Sequence, residues 1–255
     1  MVAYALSILA AGGVVVLAAL LFRKVRRAED DRDPGGPSAG HAGAMLSALF
    51  LLVFAIAIIV PWTTADAARQ NTHAESQAAV NAYWAAAALP PDDARQVRSA
   101  LRDYITFVVR DEWPLMAQGH MDPVGAARMD ALRGRVSALT VSGTDQEDAK
   151  TDLLSHLGAL SSARAQRAAD AAATPPDGLL FLTVLTGLVV LVFPFMAGAR
   201  PRGLTLLPML AMGALLGFGV YLTWDISHAF AGPLAVGPAP FQAALQEFSR
   251  IGGSM

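Results

Sequence analysis

The sequence predicts an all-α membrane protein in which four transmembrane helices form two hairpins that flank a long helical-bundle insert. Residues 1–22, 34–65, 178–199 and 203–224 contain no Asp, Glu, Lys or Arg, although 16% of the 255 residues are charged. A helix needs about 20 apolar residues to cross the hydrocarbon core, so each run can hold one span. Between the second and third runs, apolar residues recur at helical spacing among many charges, which predicts amphipathic helices.

The first hairpin is assigned to residues 1–65, with span one at Tyr4–Phe22 and span two at Ala44–Trp62. Span one has no basic residue before it and a basic cluster after it, so we interpret it as a retained anchor and not as a cleaved signal peptide. Between the spans, Ala28–Gly43 passes from charged residues into Pro, Gly and Ser. This composition is typical of a flexible linker.

Residues 66–177 form the insert, and short turns between its four predicted helices favour a bundle. Pro90-Pro91 ends the first helix, and Asp122 followed by Pro123 is typical of a helix start. The predicted helices are Asp66–Leu89 as a continuation of span two, Asp92–Gln118, a third from Asp122-Pro123, and Thr144–Ala173.

The second hairpin is assigned to residues 178–225, with span three at Leu179–Gly198 and span four at Leu204–Trp224. A Pro/Gly-rich tail, residues 226–255, follows it. The uncharged stretch Ile226–Gln246 contains three prolines and two glycines, which would break a helix where lipid offers no replacement hydrogen bonds. We therefore predict a loop or a re-entrant piece there.

Orientation follows from the short loops between spans, because Lys and Arg near span ends stay in the cytoplasm. The two short loops carry seven basic residues: Arg23, Lys24, Arg26, Arg27, Arg32, Arg200 and Arg202. These loops are predicted to be cytoplasmic. The chain is then a multi-pass protein of the cell membrane, and its helical insert is extracytoplasmic.

Composition excludes several kinds of function. The chain has no cysteine, which rules out disulfides, thiolate metal sites and cysteine nucleophiles. Its five histidines are scattered without metal-binding spacing, and neither a phosphate-cradling glycine loop nor Gly-x-Ser-x-Gly occurs. No enzymatic activity, metal or cofactor is expected. A formal charge of -2 argues against a nucleic-acid partner, and membrane lipid is the expected one.

The segment Tyr104–Gly119 reads YITFVVRDEWPLMAQG and ends an amphipathic helix with charge, a bulky aromatic and a helix breaker. Arg164 and Arg167 share one face of the last insert helix because they are three residues apart. The candidate polar cluster is Glu75, Arg110, Glu112, Trp113, Arg164 and Arg167. Two interpretations are open: a cluster at the membrane surface that filters or gates ions, or an interhelical clamp. Asp225, at the end of span four, has the same ambiguity.

The chain resembles the bestrophin-like family of bacterial and plant membrane proteins. The resemblance rests on residues spread over nearly the whole chain: Asp66-x(8)-Glu75, Tyr104, Glu112-Trp113-Pro114-x-Met116-x-x-Gly119, Arg164-x-x-Arg167 and Asp225…Phe230-x-Gly232…Val236-x-Pro238-x-Pro240-Phe241. It implies two transmembrane hairpins around a helical insert, a tail motif of Asp225, Phe230 and Gly232, and, by wider comparison with bestrophins, an oligomeric anion channel.

Two features depart from the family pattern. The tail reads Asp225-Ile226-Ser227-His228-Ala229-Phe230, where the pattern has Asp, one residue, Pro and Phe. Bestrophins also hold their helical region in the cytosol, whereas the basic loops here place it outside.

The preferred function is a homo-oligomeric channel or pore subunit that conducts anions. Phe50 and Phe54 in span two are bulky enough to line a constriction if several copies surrounded an axis. The alternative is a non-conducting, membrane-anchored protein whose extracytoplasmic bundle binds a partner or senses a signal.

Topology can be tested with single cysteines, because the chain has none of its own. A cysteine at Ser142 in the insert should react with an impermeant thiol reagent in intact cells. Cysteines at Ser38 and Arg200, in the two basic loops, should react only after the membrane is permeabilised. Labelling of Ser38 and not of Ser142 in intact cells would reverse the orientation and match the bestrophin arrangement.

Overall fold

The computed structural model describes residues 6, 9–10, 12–17, 20–21, 37–173, 177–197 and 206–253, and this part of the chain contains helices but no β-strand. The helices are α1 (Pro37–Ala85), α2 (Pro91–Phe107), α3 (Trp113–Met116), α4 (Pro123–Ser137), α5 (Thr144–Ala172), α6 (Asp177–Met196), α7 (Leu207–Ile226) and α8 (Ala239–Gly253). A 3₁₀ turn over Ala86–Ala88 follows α1, and a π-helical turn over Val108–Glu112 joins α2 to α3. The predicted all-α class is confirmed.

The chain divides into two compact units. The membrane unit comprises Met1–Thr63 and Thr174–Ser227, and the bundle unit comprises Thr64–Ala173 and His228–Met255. Helix α1 belongs to both, because it continues past Thr63 without a break.

Within the described part of the chain, three helices are long and apolar enough to cross a membrane: α1, α6 and α7. They correspond to predicted spans two, three and four, and α6 and α7 pack against each other. Predicted span one, Tyr4–Phe22, lies partly outside the described residues, and those described within it are helical. The first hairpin therefore stays a prediction.

The linker prediction is wrong at its C-terminal end. Ala28–Gly43 was predicted to be flexible, but α1 already begins at Pro37. Proline is accommodated in the first turn of a helix, where its missing N–H would have had no intrahelical partner. Residues 28–36 and the seven basic residues of the two loops lie outside the described part of the chain.

Phe50 and Phe54 face the other helices of the same chain. Their rings stack with centroids 5.5 Å apart, and Phe50 is only 7% exposed. Phe54 lies directly over Gly219 of α7, while a Cβ at Gly187 of α6 would lie 3.4 Å from Phe50. Within the chain these rings therefore fill the space that glycines leave between helices, and their burial leaves little surface with which to line a pore.

The opposite side of α1 is exposed. Large apolar side chains recur there at alternating steps of four and three residues: Met45, Leu49, Leu52, Ile56 and Ile59. This spacing places them in one stripe along the helix. The stripe faces away from the contacts that α1 makes with α6 and α7.

The bundle unit agrees closely with the predicted insert helices. Helix α1 ends at Ala85 and its 3₁₀ turn at Ala88, just before Pro90-Pro91, and α5 spans the predicted fourth helix to within one residue. Asp122 caps α4 as expected, because its Oδ1 accepts a hydrogen bond of 2.8 Å from the Val124 N–H. The connections on either side of α4 contain glycines with positive φ, Gly119 at 79° and Gly143 at 97°.

One continuous apolar core joins the helices of the bundle unit. Its fully buried members include Val97 and Leu101 of α2, Val136 of α4, and Leu157 of α5. Along each of these helices the buried core residues recur at steps of three and four, which places them on the inward face of the helix.

The prediction of a loop or re-entrant piece over Ile226–Gln246 is wrong in its second half. Helix α8 starts at Ala239 and packs in the bundle unit through Phe241, Ala244, Phe248 and Ile251. Every proline of the tail lies before this helix or in its first turn, where proline does no harm. The Phe248 ring stacks on Tyr83 of α1 at 4.2 Å, so the tail forms part of the core.

Substitution of Gly219 tests the packing of the membrane unit. A Cβ at this position would collide with the Phe54 ring. We expect Gly219→Ala to lower the stability of the protein in detergent by roughly 1–3 kcal/mol, because overpacking forces a rigid ring to move. Thermal melting of the purified protein measures the change.

Gly12→Ala is the matched control, because no atom of the described residues lies within 4 Å of a Cβ at that helical position. It should melt at or above the temperature of the unsubstituted protein, as alanine is the better helix former. Phe54→Val in the Gly219→Ala background should recover part of the loss. Equal melting of the two alanine variants would contradict the contact.

Candidate functional site

A network of buried charges lies inside the bundle unit. Helix α5 supplies two arginines, and both point inward because they are one turn apart on its buried face. Arg164 is 7% exposed and Arg167 is fully buried. Two guanidinium groups in a protein interior require acceptors for their N–H groups, since an unpaired buried charge is very costly.

Glu112, from the π-helical turn, accepts bonds from both arginines. Its two carboxylate oxygens lie 2.5 and 2.6 Å from Nη2 and Nη1 of Arg164, in a bidentate pair. Nη2 of Arg167 donates to Oε2 of the same carboxylate at 2.9 Å. Bidentate pairing of arginine and carboxylate is among the strongest polar contacts available to side chains.

Glu75, from α1, completes the network. Its oxygens accept bonds of 2.5 and 2.9 Å from Nε and Nη2 of Arg167. The Tyr104 hydroxyl of α2 donates to Glu75 at 3.2 Å and accepts from Nη1 of Arg164 at 3.3 Å. Side chains from α1, α2, the π-helical turn and α5 thus meet at one place.

The network is electrically balanced, with two carboxylates and two guanidinium groups. Burial alone would lower the pKa of Arg167. The hydrogen bonds and charge of Glu75, together with Tyr104 and Glu112, outweigh burial, so the pKa of Arg167 is raised. For Arg164, burial likewise lowers the pKa, and Glu112 with Tyr104 raises it overall. Burial first, and then the charge of Glu75, raise the pKa of Tyr104. Both arginines therefore stay charged, and Tyr104 stays a neutral donor.

The π-helical turn positions Glu112. The Trp113 N–H bonds to the carbonyl of Val108, five residues back. Pro114 follows and has no N–H with which to close an α-helical bond to the carbonyl of Arg110. Single π-helical turns inside α-helices are frequent at functional sites. Glu112 is fully buried in this turn, and its neighbour Asp111 is exposed.

Aromatic rings and a thioether surround Arg167. Its Cζ lies 5.6 Å from the ring centroid of Trp113 and 5.4 Å from that of Phe241. Its Nη1 donates to Sδ of Met116 at 2.9 Å. Apolar surroundings of this kind strengthen the ion pairs, because they exclude water.

The structure brings together five of the six residues of the candidate polar cluster. Glu75, Glu112, Arg164 and Arg167 form the network, and Trp113 packs beside Arg167. Arg110 is exposed and shares none of these bonds, so its inclusion was wrong. Residues two apart in a helical turn point in different directions, and burial of Glu112 turns Arg110 outward.

The residues of the tail motif fall in different units. Asp225 is buried near the end of α7 in the membrane unit. Phe230 lies in the bundle unit and packs edge-on against Trp113, with ring centroids 5.6 Å apart. Gly232 has a φ of 90°, which only glycine adopts without strain.

Sequence reasoning missed three contributors to the network. Tyr104 was named in the family resemblance but left out of the candidate polar cluster, although a buried tyrosine hydroxyl usually requires a partner. Met116 gave no signal beyond its place in the motif. A Cβ at Gly125 of α4 would collide with the guanidinium of Arg164, so the absence of a side chain at that glycine makes room for the arginine.

The arrangement is suited to holding helices together. Each carboxylate oxygen of Glu75 and Glu112 accepts at least one bond from within the network, and both residues are fully buried.

Across the described residues, no group of three or more metal-ligating side chains is close enough to hold a metal ion.

Comparison with known proteins relates the sequence to one family. The model of the family described as Bestrophin-like domain matches residues 8–241. Searches of curated proteins and of solved structures each gave no match.

Substitution of Glu112 tests the network. Glu112→Gln keeps the shape of the side chain but leaves two buried arginines with one carboxylate between them. Breaking a buried pair costs about 3–5 kcal/mol, so we expect a large fall in the melting temperature of the purified protein. Asp111→Asn, at the neighbouring exposed position, should change stability by no more than about 0.5 kcal/mol. Equal effects of the two substitutions would show that the network does not stabilise the bundle unit.

Proposed function

Because the chain belongs to the bestrophin-like family, we propose that it is a subunit of a homo-oligomeric membrane channel that conducts small anions. The observation that carries this proposal is the family match over most of the chain. Three apolar helices of membrane-spanning length are compatible with it. We propose no catalytic role.

We propose that the channel subunit crosses the cell membrane four times, in two hairpins, with the bundle unit outside the cell. The packing of α6 against α7 supports the second hairpin. The uncharged residues 1–22 support a first span ahead of α1. The seven basic residues of the two short loops support the orientation.

Association between copies is proposed to use the exposed stripe of α1. The residues of the stripe are separated by alternating steps of four and three. Helices with this spacing of apolar residues pack side by side in left-handed pairs or rings. Phe50 and Phe54 face inward within one chain, so Leu52, Ile56 and Ile59 replace them as the proposed constriction. An apolar constriction of this kind controls conduction by excluding water.

In the proposed channel, the buried charge network acts as an interhelical clamp. An ion filter needs charges that a passing ion can reach, whereas Glu75, Glu112 and Arg167 are fully buried and bonded to one another. The clamp interpretation is therefore favoured over the filter.

One observation favours a second function, in which the chain is a non-conducting membrane-anchored protein that binds or senses a small molecule. A cavity between α4 and α5 is lined in part by Arg164, so a solute could reach one member of the network. This function replaces the channel if the protein passes no ion.

Reconstitution tests the channel. Purified protein in liposomes should release chloride down its gradient and should be an oligomer by mass photometry. Leu52→Ala, Ile56→Ala and Ile59→Ala should each raise the chloride flux, because they widen the proposed constriction.

Leu51→Ala is the matched control, since Leu51 is exposed on α1 but lies about 100° around the helix from Leu52. Its flux should equal that of the unsubstituted protein. A monomer, or an oligomer that passes no ion at any voltage, would refute the channel in favour of the binding or sensing protein.

A further inference from the structure

We propose that the cavity between α4 and α5 binds a small zwitterion that carries both a carboxylate and an ammonium group, such as a free amino acid. The proposal does not depend on conduction, because the cavity lies wholly within the bundle unit. It rests on the hydrogen-bond donors of one wall, the acidic groups of the other and the size of the space between them.

The α5 wall offers hydrogen-bond donors. Nη1 and Nη2 of Arg164 are occupied by Glu112, by the Tyr104 hydroxyl and by the carbonyl of Asp122. Its Nε–H donates to no acceptor among the residues that the structure describes. Ser161, one turn earlier, also lines the cavity, and its hydroxyl has no hydrogen bond within the same part of the chain. A ligand carboxylate would accept from both groups.

The α4 wall is acidic. Asp122 and Asp130 both line the cavity, and neither forms an ion pair with another described residue. One oxygen of Asp122 caps α4, whereas Asp130 is exposed at the surface. The positive charge of Arg164 is already paired with Glu112, so the charged residues that line the cavity leave an excess of negative charge from the two aspartates.

These charges select the class of ligand. A simple anion would be repelled by the two aspartates, and a simple cation would leave the Nε–H of Arg164 and the Ser161 hydroxyl without an acceptor. A zwitterion can satisfy both walls at once, with its ammonium group toward Asp130 and its carboxylate toward Arg164.

The cavity has the size and the lining for such a molecule. Its volume is about 320 Å³, and Ala126, Met129 and Ala165 provide an apolar surface between the polar groups. Methionine adapts its shape to what it contacts, and alanine leaves room. A small amino acid with an apolar side chain fits these conditions.

Ligand binding to the full-length protein in detergent tests the proposal. Isothermal titration would screen the standard amino acids and then compare the one that binds with two of its truncated analogues, one without the ammonium group and one without the carboxylate. For leucine these analogues are 4-methylpentanoate and 3-methylbutylamine. We expect at least one amino acid to bind and to raise the melting temperature, since a ligand that binds only the folded state stabilises it. Its two analogues should bind at least about tenfold more weakly than that amino acid or not at all.

Substitutions then locate the site. Asp130→Asn and Ser161→Ala should each weaken binding of that amino acid about tenfold or more. Asp148→Asn, at an exposed position outside the cavity, and Ser162→Ala, whose hydroxyl is bonded to the Gly158 carbonyl, should leave binding unchanged. Melting curves without ligand check that all four variants are folded.

Three results would overturn the proposal. These are failure of every standard amino acid to bind at millimolar concentration, equal binding of an analogue that lacks one of the two charges, and unchanged binding in both cavity variants. None of them bears on chloride flux, so the channel and the ligand site stand or fall separately.

Discussion

Two arginines and two glutamates, buried together, constrain how the helices of the bundle unit can be placed. A buried charge is tolerated only where opposite charges and hydrogen bonds replace water, and here the pairs are 2.5 to 2.9 Å long. The charges come from α1, the π-helical turn and α5. If one of these segments moved by a few ångströms, a charge would be left without its partner, so their relative positions are strongly restricted.

Local backbone features serve this network. Pro114 ends the α-helical register, and the π-helical turn that precedes it places Glu112 inside while Asp111 remains outside. Gly125 leaves space for the guanidinium of Arg164. These residues form no ion pair themselves, but the geometry of the network depends on them. The occurrence of Pro114 two residues after Glu112 in the sequence motif is thereby explained by this arrangement.

The membrane unit is held together by different forces. Lipid is as apolar as the helices, so burial of apolar surface contributes little there, and close packing must hold the helices together. Glycines of α6 and α7 allow the rings of Phe50 and Phe54 to enter between the helices. Large apolar side chains remain exposed on the far side of α1, where in a soluble protein they would favour aggregation.

Much of the fold could be predicted from the amino-acid sequence alone, because absence of charge, helical periodicity and capping residues act over short distances along the chain. Spans two to four, the start of α4, both ends of α5, and the inward direction of Arg164 and Arg167 all follow from such local patterns. The sequence also indicated that Glu112 and Glu75 belong with these arginines. Which oxygen pairs with which guanidinium was decided only by tertiary packing, since Glu112 is 52 residues from Arg164 and Glu75 is 92 from Arg167. The same holds for the inward rings of Phe50 and Phe54, the exposure of Arg110 and the docking of α8, because a local pattern shows that a residue has an apolar or charged face but not which distant segment will cover it.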